Sequence, residues 1–134
     1  MSQEFPPSER TQTVRKKSTN GKYLFRVKDP QGYEIALELE TWEQHIVQHH
    51  PEVQKFFDLL EKVINEPQLI QRSSKQSETF YYYRLTGRSF YRINDIYLSV
   101  VARRDEETKS GVVKTAHLLK EVRREGETVW MKRS

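Results

Sequence analysis

Between Ile64 and Leu69 the hydrophobic period of this 134-residue chain changes, and that change limits the folds open to it. Upstream, Val53, Phe56, Phe57, Leu60, Val63 and Ile64 recur at steps of three, four and seven, the apolar stripe of an amphipathic helix. Downstream the period is two. It gives a short strand near residue 70, then Thr79 to Leu85, Ile96 to Arg103, Val112 to Leu118, and a last short strand around Thr128 to Met131. Helices followed by a run of strands make an α+β domain, with the strands expected in one small antiparallel sheet.

Ahead of the helix, Tyr23 to Lys28 and Tyr33 to Glu40 alternate apolar and polar residues around Asp29-Pro30-Gln31-Gly32. Pro and Gly supply the fixed and the permissive backbone angles of a turn, which predicts an N-terminal hairpin. Thr41 precedes Gln44 by three residues in a capping-box pattern, and Trp42, His45, Ile46 and His49 follow at helical spacing, so a first short helix is expected there. Pro51 disfavours a helical His50, placing a turn at His50 and the start of the second helix at Pro51. Asn65-Glu66-Pro67 ends that helix. Asp105 to Gly111 reads as a Gly-ended hairpin loop and Lys120 to Gly126 as a further connection. Residues 1–21 hold Pro6, Pro7 and Arg15-Lys16-Lys17 with few apolar groups, a flexible basic tail before a single domain over 22–134.

Composition narrows function. At 35% hydrophobic residues the chain can bury one core. It has no cysteine, which removes disulfide frameworks, thiolate metal sites and a cysteine nucleophile. No apolar run approaches the roughly 18 residues that span a bilayer, and the first residues lack the apolar core of a signal peptide, so a cytoplasmic protein with no membrane partner is expected. Net charge is +4, unevenly spread: residues 23–70 carry four basic and nine acidic groups, residues 71–134 fourteen basic and eight acidic. A basic second half suits a polyanionic partner such as RNA.

Three of the four histidines, His45, His49 and His50, fall within six residues. Histidine is the side chain whose charge changes nearest neutral pH, so such a cluster points to proton transfer. Spacing puts His45 on the apolar face of the first helix, His49 outward and His50 in the proline-fixed turn. A metal site lacks convergent ligands at this spacing, and no metal or cofactor is expected. On the strands, Tyr82 and Arg84 share one face, and Tyr81 and Tyr83 the other. Ile96, Leu98, Val100 and Ala102 oppose Tyr97, Ser99, Val101 and Arg103, so one face is core and the other open. Thr115 and His117 alternate onto one face of the last long strand, with Lys114 on the other. Tyr82, Tyr97, Arg103, Lys114 and His117 are the candidate RNA contacts, through base stacking and phosphate binding. No nucleotide-binding glycine loop or Gly-x-Ser-x-Gly elbow occurs. The remaining set of His, Arg, Tyr and Thr suits metal-independent RNA cleavage, in which a base takes the ribose 2′-proton, an acid protonates the departing 5′-oxygen and cations stabilise the phosphorane.

The order of motifs carries a resemblance. An aspartate-glycine hairpin, Trp42-Glu43-x-His45-Ile46, His50-Pro51-Glu52, Glu66-Pro67-x-x-Ile70, Tyr82-Tyr83-Arg84, a Val-rich strand, Thr115-Ala116 and Gly126-Glu127-x-Val129-Trp130 follow one another from about Tyr23 to Trp130. This succession resembles the phage-associated nuclease family of the barnase, EndoU, colicin and RelE superfamily. The resemblance implies an RNase-like fold with its site on the open sheet face beside the helix end. It implies a toxin-like or phage-conflict ribonuclease, with a cognate antitoxin or immunity protein as partner. It makes His50 or His45 the acid-base group, with His45 alternatively orienting it, Arg84 and Arg103 the phosphate holders, and Thr115 a hydroxyl bonded to phosphate. A non-catalytic RNA-binding or protein-interaction module is the competing expectation on the same fold. Two departures stand out: His117 replaces an aromatic after Thr-Ala, and Ser89 to Asp95 is longer than the family hairpin.

Overall fold

The structure, a computed structural model, describes residues 22–87 and 96–133. The basic tail and the Ser89 to Asp95 segment lie outside the described residues. Strands β1 (Tyr23–Lys28) and β2 (Glu34–Glu38) form the expected hairpin. Asp29 fastens its turn: Oδ1 accepts the backbone N–H of Gln31 at 2.8 Å and of Tyr33 at 2.9 Å, and Gly32 takes φ +91°, a region open to glycine without a Cβ penalty.

A helical run follows: α1 (Leu39–Thr41), a π-helical stretch (Trp42–Ile46), α2 (Val47–His49), a 3-10 segment (Pro51–Phe56) and α3 (Phe57–Asn65). The capping box does not form. Thr41 is already helical and its side chain caps nothing, because the helix begins earlier, at Leu39. The π stretch changes which side chains face inward. Its wider turn keeps Ile46 fully buried and lays Trp42 edge-on against Phe57 at 4.8 Å, and leaves His45 exposed rather than on the packed face. Pro51 opens the second helical segment as predicted, after His50 at φ −137°.

The rest is β3 (Leu69–Arg72), β4 (Thr79–Leu85), β5 (Tyr97–Asp105), β6 (Ser110–Leu119) and β7 (Glu127–Met131), each close to its predicted position. Hairpin and strands, expected as separate units, join in one seven-stranded mixed sheet of order β1-β2-β6-β5-β4-β3-β7. The joint is parallel: Glu34 to Ala36 of β2 pair with Ser110 to Val112 of β6. An isolated hairpin is marginal in water, and this pairing brings Ile35 and Leu37 into the common core. β2 then ends, and the helical run takes its place alongside the remaining edge of β6.

α3 covers one face of the sheet. Leu60, Val63 and Ile64 are buried against Tyr82, Leu98, Val100, Ala102 and Ala116, a burial that stabilises by roughly 1.5–3 kcal/mol per large side chain. At one end of this core sits a polar cluster. Asp29 Oδ2 accepts the Tyr82 hydroxyl at 2.5 Å and Arg104 Nη1 at 3.2 Å, with both ionic side chains nearly or wholly buried. The Arg104 guanidinium lies 3.8 Å from the Tyr33 ring centroid and 3.6 Å from that of Phe80, which replaces part of the hydration it loses.

Candidate functional site

The second face of the sheet carries Tyr81 and Tyr83 from β4, Ser99 and Val101 from β5, and Thr115 and His117 from β6, in register across the strands. Two devices bring further groups to it. The first is a β-bulge: Val101 faces Thr115 but Ala102 faces Val113, so Lys114 is an extra residue in β6. Val113 and Ala116 both stay in the core, and Lys114 is freed to line the same cleft as Thr115. Strict alternation had put Lys114 on the opposite face from Thr115, and the bulge overturns that. The second device is the helical run beside β6, which delivers His45 to the cleft wall and His50 to His117.

The cleft is open and holds about 620 Å³, with Thr41, His45, Thr79, Val101, Lys114 and Thr115 in its lining. Thr115 Oγ1 is buried and has no hydrogen-bond partner among the described residues. An unpaired buried hydroxyl is costly, so one carried by a residue that lines a cleft calls for an explanation beyond packing. His45 stacks on His49 with centroids 4.8 Å apart, and His49 Nδ1 donates to the His45 carbonyl at 2.9 Å. Partial burial first, and then His49, His50 and Lys114, hold the His45 ring below its usual pKa and favour the neutral form.

Along β6, His117 meets His50 edge to face with ring centroids 5.0 Å apart, and His50 Nδ1 lies 3.7 Å from Glu52 Oε2. Burial, Arg123 and His50, opposed by Glu52, lower the His117 pKa to about 4. Arg123 Nη2 contacts His117 Nε2, while Nη1 donates to the Tyr83 hydroxyl and to Ser99 Oγ, each at 2.9 Å. Arg123 was missed at the sequence level because it lies in an irregular connection, where neither period nor motif marks it.

Two expected site residues are elsewhere. Tyr82 and Arg84 do share a face, but it is the helix-packed one: Tyr82 is fully buried, and Arg84 Nη1 donates to the Glu66 carbonyl at 2.5 Å, just beyond the C-terminus of α3. There Arg84 satisfies a carbonyl that the helix end leaves open. The stacking platform is likewise occupied. Tyr83 is fully buried, Tyr97 is half-buried edge-on to it at 5.9 Å, and Arg123 lies 4.0 Å over the Tyr81 ring. Arg103 is exposed on the open face opposite Thr79, next to the cleft. The open face thus brings His45, His50, Thr115, Lys114 and His117 into one neighbourhood and excludes Arg84 and Tyr82.

Among the described residues, no group of three or more His, Asp or Glu side chains is arranged to hold a metal ion, and no helix is long and apolar enough to cross a membrane. Compared with protein-family models, curated proteins and solved structures, the chain matches none.

Proposed function

We propose that this protein is a ribonuclease that cleaves RNA by transesterification, with its active site on the open side of β6. The observation that supports it is Thr115: it lines a cleft with Lys114 and His45, its buried Oγ1 has no partner among the described residues, and it stands two strand positions before the His117 and His50 pair. Acid-base groups, a hydroxyl donor and cations are what in-line cleavage of a phosphodiester requires.

In this reading His45, kept neutral by its surroundings, takes the proton of the ribose 2′-hydroxyl. The 2′-oxygen bonds to phosphorus, the bond from phosphorus to the 5′-oxygen breaks, and His50 gives that oxygen a proton. The products are a 2′,3′-cyclic phosphate and a 5′-hydroxyl. Lys114 and Arg103 neutralise phosphate charge, and Thr115 donates to a phosphate oxygen. RNA is the partner in the cytoplasm, and a free toxin-like nuclease of this kind needs an antitoxin or immunity protein to be tolerated by its host.

Labelled RNA incubated with the purified protein in EDTA is the direct test. Cyclic-phosphate ends are expected, and they should disappear with His45→Ala and His50→Ala. Salt-sensitive RNA binding without cleavage would leave a binding module instead.

A further inference from the structure

The cleft beside β6 has a second end. From Lys114 and Thr115 it crosses Val101 of β5 to Thr79 of β4 and to Gln76, in the turn that joins β3 to β4. Thr79 stands two strands over from Thr115 and one row further along the sheet, so their backbones are roughly 12 Å apart, a span that one nucleotide bridges. The two ends differ in chemistry. Lys114 and His45 line the first, Val101 supplies an apolar floor, and the lining at the far end is the neutral pair Gln76 and Thr79, with Arg103 beside it.

Gln76 is exposed, yet its place is fixed. Its backbone N–H donates to the Oγ of buried Ser73 at 3.2 Å, its carbonyl accepts from the Thr79 N–H at 3.0 Å, and the Ser73 N–H donates to the Thr79 carbonyl at 2.9 Å. The Thr79 hydroxyl donates to Gln76 Oε1 at 3.1 Å, which holds the amide at the cleft and engages its acceptor. What the amide then offers a ligand is Nε2, a donor of two hydrogens.

We propose that the cleft seats one nucleotide of an RNA chain, phosphate at Lys114 and base across Val101, and that Gln76 selects a base whose far edge bears a carbonyl, uracil or guanine. This rests on the ribonuclease reading in taking RNA as the ligand. The base edge furthest from the ribose carries an oxygen in uracil and guanine and an amino group in cytosine and adenine. Nε2 donates to the oxygen, whereas against an amino group two donors meet and one goes unpaired. Glu38 lines the opposite flank with His45. A nucleotide lying the other way would set its base edge against that carboxylate, an acceptor, and Gln76 would then have no part in the choice.

Calorimetric titration of the full chain with the 3′-monophosphates of uridine, guanosine, cytidine and adenosine tests the selection, beside initial rates on the four dinucleotides that place those nucleosides 5′ to adenosine. The uridine and guanosine nucleotides are expected to bind about fivefold tighter than the other two, the order of one exposed hydrogen bond. Gln76→Leu should bring that ratio to one. Gln76→Glu puts an acceptor in the same place and should invert the ratio, while its charge weakens all four. Both changes fall at an exposed turn position, and thermal melts establish that the variants are folded. The uridine and guanosine preference with no cleavage of any dinucleotide supports the selection and sinks the cleavage reading. Cleavage without that preference, a preference unchanged in Gln76→Leu, or one removed only by Glu38→Gln overturns the selection and leaves cleavage standing. Failure of all four monophosphates to bind overturns the selection, whatever the dinucleotides show.

Discussion

His50 and His117 meet at the edge of the sheet with their rings 5.0 Å apart and nearly perpendicular, one carried by a proline-fixed turn and the other by the C-terminal part of a strand. The contact depends on β2 ending early, because only then can the helical run lie against β6. Burial, Arg123 and His50, in that order, lower the tendency of His117 to take a charge.

The low pKa of His117 predicts a pH-dependent stability. Between its folded value of about 4 and an unfolded value near 6.5, the unfolded chain binds the proton more tightly. Stability contributed by the neutral ring is therefore full above pH 6.5 and is lost as pH falls toward 4. After allowing for solvent screening of a partly exposed ring, the loss should be about 1–2 kcal/mol. Urea denaturation at pH 7 and pH 4.5 measures it, and His117→Gln should flatten the difference.

Thr115→Val separates stability from activity. It removes a buried hydroxyl that has no partner, so the melting temperature should stay constant or rise, by up to about 1 kcal/mol in stability. Cleavage of RNA should fall by about tenfold, the order of one lost hydrogen bond to the transition state. A stability loss above about 1 kcal/mol would show that Oγ1 has a structural partner after all.

Lys114 and Arg84 should behave as opposites. Lys114→Ala, at an exposed bulge, should leave the melting temperature unchanged and reduce cleavage by on the order of 10²-fold. Arg84→Ala should leave cleavage unchanged and cost about 1 kcal/mol, since its guanidinium serves the end of α3. Parallel melts and initial rates on one RNA substrate decide both.

In the buried polar cluster, Asp29→Ala strands the Arg104 charge and should cost about 3–5 kcal/mol. Removing both ions, as Asp29→Ala with Arg104→Met, should recover part of that loss. A double-mutant cycle by chemical denaturation gives the coupling, and an additive result would mean that the pair does not interact.

The rate of cleavage should rise with pH through a value below the ordinary histidine pKa, because His45 must be neutral and its surroundings lower its pKa. Initial rates from pH 4.5 to 8 test this, and Lys114→Ala should move that limb upward by removing a neighbouring positive charge.

The sequence by itself determined the elements. Period-two alternation located β3 to β7, the apolar stripe located α3, and Pro51, Gly32 and Pro67 marked the boundaries, because burial on one face of a strand or helix writes its period into the chain. Charge and the histidine cluster pointed to the second half of the sheet and the helix end. Tertiary structure decided the rest. Which face of β4 is core rests on where α3 packs, and that assignment moved Tyr82 and Arg84 out of the site. The bulge at Lys114, the π turn that exposes His45 and the parallel pairing of β2 with β6 are each a shift of one residue or one partner. Periodicity averages over such shifts, while side-chain direction is set by them. Arg123 is the extreme case: its partners Tyr83, Ser99 and His117 come from three different strands, and only their assembly into one sheet gives that arginine its place.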